Sequence, residues 1–199
     1  MQPWALKAMQ RWPNVPALFG WLCLDRRGRW LIKDELITRP QIIDTINANY
    51  ECDEHGRWYF QNGPQRGFMQ LAYAPLVVHA DHDALTTHTQ QRVTRIDAVY
   101  LDEEGSLLLT TEHGPAGLID TDLDWALSCM RHARAPLQTE DITAALEIPS
   151  GQPTALTFAW QGEALPITRL DKAAHPQRLK FVRDPQPRDG ERVASGVQD

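Results

Sequence analysis

Cysteine is scarce in this 199-residue chain: Cys23, Cys52 and Cys129 are widely spaced, odd in number and include no CxxC pair. That spacing argues for reduced thiols over a disulfide framework or a zinc site, with Cys23 and Cys52 as small core residues of strands. Long apolar runs are also missing, so nothing reaches the ~20 residues that a membrane span needs. Trp4, Arg11, Trp12 and Pro13 break up Met1–Gly20, where a secretory signal would need a continuous apolar centre. We therefore expect a cytoplasmic protein with no membrane partner. Positive charge is outweighed, 20 Lys and Arg against 26 Asp and Glu, and the net charge of −6 argues against nucleic acid as a partner. No GxGxxG, GxxxxGK[ST] or GxSxG occurs, which removes the usual support for dehydrogenase, nucleotidase and serine hydrolase readings. A hydrophobic share of 42% is enough for a real core and argues against disorder.

What is present is a repeated turn. Leu24-Asp25-Arg26-Arg27-Gly28-Arg29-Trp30, Cys52-Asp53-Glu54-His55-Gly56-Arg57-Trp58 and Leu101-Asp102-Glu103-Glu104-Gly105-Ser106-Leu107 each place Asp three residues before Gly. Asp at the first position of a type I turn and Gly in the left-handed conformation fit this spacing, and the apolar flanks make each a β-hairpin. Between the first two hairpins, Thr38, Gln41 and the Ile37/Ile42 pair predict a capped and stapled helix with Ile42, Ile43, Ile46 and Tyr50 on one buried face. Pro40 is tolerated in its first turn. Asn62-Gly63 predicts another hairpin, and the polar stretch His79–Thr89 predicts a long loop at a module boundary. Further on, Asp122 is a candidate cap for a helix with Leu123, Ala126, Leu127 and Met130 inward, and Thr139 for a second helix ending before Pro149. Gln161-Gly162 predicts a last hairpin. Beyond Asp171 the Pro- and Arg-rich sequence predicts weak order.

The fold class expected is α+β: an N-terminal antiparallel sheet with a covering helix (an α/β roll) over 1–80, a C-terminal β-roll or barrel-like module with short helices over 81–170, and a tail over 171–199. Candidate chemistry is sparse. Asp120-Thr121-Asp122-Leu123-Asp124 begins like a calcium loop, but Trp125 and Arg131 stand where Gly and a bidentate Glu belong, so helix capping is the reading. Cys129 and His132, with Arg131 and Arg134 nearby, fall one turn apart on the predicted helix without an orienting third residue, which favours a structural thiol. The densest recognition patch is Trp58-Tyr59-Phe60-Gln61-Asn62-Gly63-Pro64-Gln65-Arg66. Its stacking faces, amides and guanidinium make Trp58, Gln61, Asn62, Gln65 and Arg66 the candidate binding residues for a protein or small polar ligand. We therefore expect a binding or scaffold module without cofactor. The alternative is a small hydrolytic or metal-dependent enzyme built on His79, Asp81, His82 and His88.

The Gly-Trp strand, Asp-x-x-Gly-x-Trp turn, Arg-Pro-initiated helix and Asp-Glu-x-Gly-Arg-Trp-Tyr-Phe-Gln-Asn-Gly-Pro-Gln-Arg segment between Gly20 and Leu76 resemble uncharacterised proteobacterial proteins of the domain-of-unknown-function 1285 type. The resemblance implies two small β-rich modules and brings no catalytic residue, cofactor or substrate.

Overall fold

Each Asp-x-x-Gly segment closes a strand pair, and the aspartate does the closing. In the computed structural model, which describes residues 15–82, 84–133 and 135–194, Asp53 Oδ1 accepts the N–H groups of His55 and Arg57, both at 2.9 Å. Asp102 Oδ1 likewise accepts those of Glu104 and Ser106, at 2.9 and 2.8 Å, and Asp25 Oδ1 that of Arg29 at 2.8 Å. The second oxygen of each carboxylate takes a side-chain donor: Arg29 Nε at 2.6 Å, Arg57 Nε at 2.8 Å and Tyr73 Oη at 2.9 Å. One short side chain thus satisfies the turn's backbone donors and ties the turn to its surroundings. Trp4, Arg11, Trp12, Pro13 and Arg134 lie outside the described residues.

The chain divides into two compact units, the first comprising Met1–Asp25, Arg29–Ala72 and Lys180–Asp199. Its strands are β1 (Leu18–Leu24), β2 (Trp30–Ile32), β3 (Glu35–Leu36), β4 (Tyr50–Cys52), β5 (Trp58–Asn62) and β6 (Gln65–Leu71), with helix α1 (Pro40–Ala48) between β3 and β4. They form one sheet in the order β3-β2-β1-β6-β5-β4. Neighbours are antiparallel except for the central β1–β6 pair, which is parallel with Leu22 opposite Met69, so the sheet is mixed. Ile46, on α1, is buried, and Trp30 Nε1 donates to Asn47 Oδ1 at 2.8 Å. Trp30, Tyr50 and Trp58 continue the packing as a row, with ring centroids 4.9 and 5.0 Å apart. The helix starts where expected but is not capped as expected. Arg39 occupies the cap position with no side-chain cap bond, Pro40 opens the first turn, and Ile42 is exposed instead of stapled. Cys52 is exposed and Cys23 half-buried, so neither is a core residue.

The second unit comprises Arg26–Gly28 and Tyr73–Leu179. It holds β7 (Leu76–Asp81), β8 (Ala84–Thr87), β9 (Arg92–Val93), β10 (Ile96–Leu101), β11 (Leu107–Thr111) and β12 (Gly114–Leu118). These are followed by α2 (Leu123–Cys129), β13 (Met130–His132), β14 (Ala135–Pro136), α3 (Thr139–Glu147), β15 (Pro153–Trp160), β16 (Glu163–Arg169) and α4 (His175–Leu179). The ten strands make one sheet, β14-β13-β15-β16-β10-β11-β12-β7-β8-β9, with β7–β12 and β10–β16 parallel. Together the two units are α+β, as expected. The stretch His79–Thr89 is not a loop: β7 and β8 form a hairpin in which Leu85 and Thr87 are fully buried. Its threonines are β-branched and suit a strand, yet their polarity hides the alternation. Helix α2 ends at Cys129, and Met130 is buried as a strand residue. Asp122 does not cap α2 through its side chain; its Oδ2 accepts the Ala80 N–H at 2.6 Å. Among the described residues no helix is long and apolar enough to cross a membrane.

The contacts group the chain differently from the modules expected at 1–80, 81–170 and 171–199. Lys172–Ala174 forms a 3-10 turn leading into α4, and Phe181 is 3% exposed. The stretch after it, itself part of the first unit, is held there through Val182 N–H to Gly56 O and Leu71 N–H to Arg183 O, at 2.9 and 2.8 Å. Arg57 anchors this strap. Its guanidinium meets Glu191 with two bonds of 2.6 and 2.8 Å and lies 4.4 Å over the Phe68 ring. Composition alone hides the strap, because backbone hydrogen bonds and a forked ion pair hold it alongside the few apolar side chains it buries, Phe181 among them.

The Arg57 hydrogen bond outweighs burial and pulls the Glu191 carboxyl down from 4.5 to about 2. A depressed carboxylate contributes stability that is fully present above its ordinary value and is lost as the pH falls through its folded value. Glu191→Gln is expected to destabilise the protein by about 2 kcal/mol at pH 7. The gap to the parent, measured by urea unfolding, should narrow by about 1 kcal/mol at pH 3.5. A gap independent of pH would contradict the strap's ion pair. Gly56 and Gly105 both have positive φ, but a Cβ on Gly56 would stand 2.4 Å from the Lys180 carbonyl oxygen, whereas one on Gly105 meets nothing. Gly105→Ala should cost about 1 kcal/mol and Gly56→Ala at least about 1 kcal/mol more; equal melting temperatures would refute the close approach.

Candidate functional site

The sequence-derived binding patch is a hairpin in which Gln61, Gln65 and Arg66 already hold side-chain hydrogen bonds. On β5 the side chains alternate, so Tyr59 and Gln61 share a face with Phe68 and Arg66 across the pair, while Trp58 lies on the other face. Gln61 is fully buried and donates from Nε2 to Gly63 O at 2.8 Å. Its Oε1 accepts from Arg66 Nε at 3.3 Å, and the Arg66 guanidinium lies 4.5 Å over the Tyr59 ring. Gln65 donates to Pro16 O at 2.9 Å, and Asn62 is exposed beside the turn. The structure thus brings Gln61 and Arg66 together on one face and leaves Trp58, Asn62 and Gln65 on the other.

The proposed metal group does not assemble. His79 stands opposite Thr86 and Asp81 opposite Ala84 in the β7–β8 hairpin, and His82 is at its turn with φ 53. His88 accepts the Val77 N–H on Nδ1 at 3.2 Å. Among the described residues no three His, Cys, Asp or Glu side chains are placed to hold a metal. The Cys129–His132 pair does not form either, because the helix that would bring the two together ends at Cys129.

A different site emerges around His132. Strand β13 pairs with β15, setting His132 opposite Leu156, and α3 packs against β15. The helix turns Ala145 inward, and Ile148, in extended conformation before Pro149, ends it. Between helix and strand lies a cleft of about 90 Å³ lined by His132, Asp141, Ala144, Ala145, Ile148, Ala155 and Leu156. It stays open because three of its five apolar residues are alanine. At its polar end His132 Nδ1 and Asp141 Oδ1 are 2.6 Å apart. Asp141 is fixed in turn, since its Oδ2 accepts the Gln138 N–H at 2.9 Å at the start of α3. A carboxylate that accepts on both oxygens makes Nδ1 the protonated nitrogen of the imidazole, leaving Nε2 as the acceptor of the neutral ring. A shallower groove of about 300 Å³, lined by Thr139, Glu140, Thr143, Ala144 and Glu147, adjoins the cleft at Ala144. Sequence reading weighed His132 only against Cys129 and set that pair aside in favour of a structural thiol. The available signal was Asp141, three residues after Gln138 at a helix start, where a carboxylate turns back on the chain.

Among the thiols, Cys52 is the exposed one, and its Sγ lies 3.3 Å from the Asp53 carbonyl oxygen. Desolvation of the sulfur, with the Asp53 carboxylate adding to it, pushes this thiol up to about 11. Its thiolate fraction at pH 7.5 is on the order of one in several thousand. Site-resolved mass spectrometry should therefore find Cys52 alkylated by iodoacetamide far more slowly than glutathione, and labelling at the rate of an ordinary exposed thiol would contradict that placement.

Comparison with known proteins gives a family and a fold. The family model DUF2944, described as "Protein of unknown function (DUF2946)", matches residues 1–186. A DUF1285 family protein from Silicibacter pomeroyi DSS-3, solved by crystallography, has a similar fold, with a TM-score of 0.51 at 14% identity over 84% of this chain and 87% of that one. A second DUF1285 family protein, from Shewanella baltica OS155, has a TM-score of 0.43 at 13% identity over 54% of this chain and 90% of its own. No curated protein matches. The DUF1285-like layout expected from Gly20–Leu76 is thus present.

Proposed function

Since the chain belongs to the DUF2944 family, whose function is unknown, its role has to come from its own side chains, and we propose that it is a binding module whose ligand seats in the cleft between α3 and β15. The observation that carries this reading is the His132–Asp141 pair, 2.6 Å apart, at the rim of an otherwise apolar recess. An apolar recess with one oriented polar end is the usual build of a small-ligand site. The volume suits a group of roughly three to five carbon atoms, by comparison with the ~150 Å³ cavities that take benzene. A covalent hydrolytic mechanism would need a nucleophile beside the imidazole, and the described lining of the cleft contains no Ser, Thr, Cys or Lys. Partner capture by strand addition is disfavoured, because the edge strands β3, β4, β9 and β14 are two or three residues long.

The test is a titration with small branched aliphatic compounds, followed by two-dimensional amide NMR. Saturable shifts are expected at His132, Ala144 and Ala155. They should disappear in Ala155→Leu, which plugs the recess, and persist in the Gln65→Ala/Arg66→Ala double variant. Shifts confined to Gln61–Arg66, or none at the cleft in a folded protein, would refute this reading.

A further inference from the structure

We infer that the cleft selects a short, branched aliphatic primary amine, an inference that rests on the binding reading above. Three features on the molecule converge on that chemistry. The first is shape: Ala144, Ala145, Ile148, Ala155 and Leu156 enclose room for a small branched hydrocarbon group and offer it no polar partner. The second is the direction of the hydrogen bond at the polar end. The Asp141 carboxylate accepts at Nδ1, which places the lone pair of the ring's uncharged tautomer on Nε2, where a donor on the ligand would meet it. Ammonium and hydroxyl groups are donors, while a carboxylate is not.

The third feature is charge, and it separates ammonium from hydroxyl. The adjoining groove carries Glu140 and Glu147 on one face of α3, and Asp141 lines the cleft itself. No lysine or arginine lines either recess among the described residues. A carboxylate ligand would enter a field of its own sign, an alcohol would gain nothing from it, and an ammonium would be attracted. Thr139 and Thr143 add hydroxyl oxygens along the same helix face that can accept from a cationic head.

The experiment compares three probes of one carbon skeleton: 3-methylbutylamine, 3-methylbutan-1-ol and 3-methylbutanoate. Each is titrated into the full chain and followed by amide shifts at the cleft. The amine is expected to bind at least ~3-fold more tightly than the alcohol, and the carboxylate most weakly. In Glu140→Gln/Glu147→Gln the amine should lose about 3- to 10-fold in affinity while the alcohol is unchanged, because exposed carboxylates each contribute modestly. If the alcohol or the carboxylate binds as well as the amine, the amine assignment is wrong and the cleft remains a binding site. If the double variant leaves amine affinity unaltered, the assignment fails on charge. If none of the three perturbs the cleft, the binding reading fails, and the amine assignment falls with it.

Discussion

The aspartate that bridges its own turn is the interaction on which the rest of this architecture depends. One carboxylate oxygen gathers backbone N–H groups that a tight turn leaves unpaired, and the other holds a side chain arriving from elsewhere. At Asp53 that side chain is Arg57, which is 6% exposed and grips Glu191 with its far nitrogens. Burial pushes the Asp53 carboxyl up, but the Arg57 N–H and guanidinium bonds outweigh it and keep the group ionised. The result is a chain of charge running from a local turn to a strap more than a hundred residues away. Such a buried pair adds little to stability overall, but losing either partner leaves an uncompensated charge.

The third turn shows that the device tolerates a change of partner. Ser106 stands where the other two turns have Arg29 and Arg57, and Tyr73 supplies the donor to the fully buried Asp102 instead. Arg26 lies 4.6 Å over that same tyrosine ring. Tyr73, Ala74, Tyr100, Leu108 and Leu170 then form a core cluster with the turn at its edge. The turn motif is local, whereas its anchoring is decided by whatever donor the fold delivers.

The cleft owes its existence to the same kind of economy. Asp141 gives one oxygen to the start of α3 and the other to His132, so a residue that caps the helix N-terminus also orients an imidazole. The alanines around it leave space that larger residues would have filled, at the cost of apolar contact for Leu156 and Ala145 below. Recess, oriented ring and acidic margin belong to one helix and two strands.

Local chemistry alone determined the hairpins at Asp25–Gly28, Asp53–Gly56, Asp102–Gly105 and Gln161-Gly162, the helix opening at Pro40, and the α+β class, because a turn's conformation is written in the four or five residues that make it. The helix cap was not legible: Thr38 and Gln41 carry the cap signature, yet Arg39 takes the position, directly before Pro40 at the first helical residue. Nor was the β7–β8 hairpin, whose threonines look like loop residues until Leu85 and Thr87 are buried by neighbouring strands. Only tertiary structure decided the parallel β1–β6 pairing, the strap on Arg57 and the meeting of His132 with Asp141. The first two join residues that no short window contains, and the third spans nine residues across the end of one strand and the start of a helix; each is selected by which groups must be desolvated together when the sheets form.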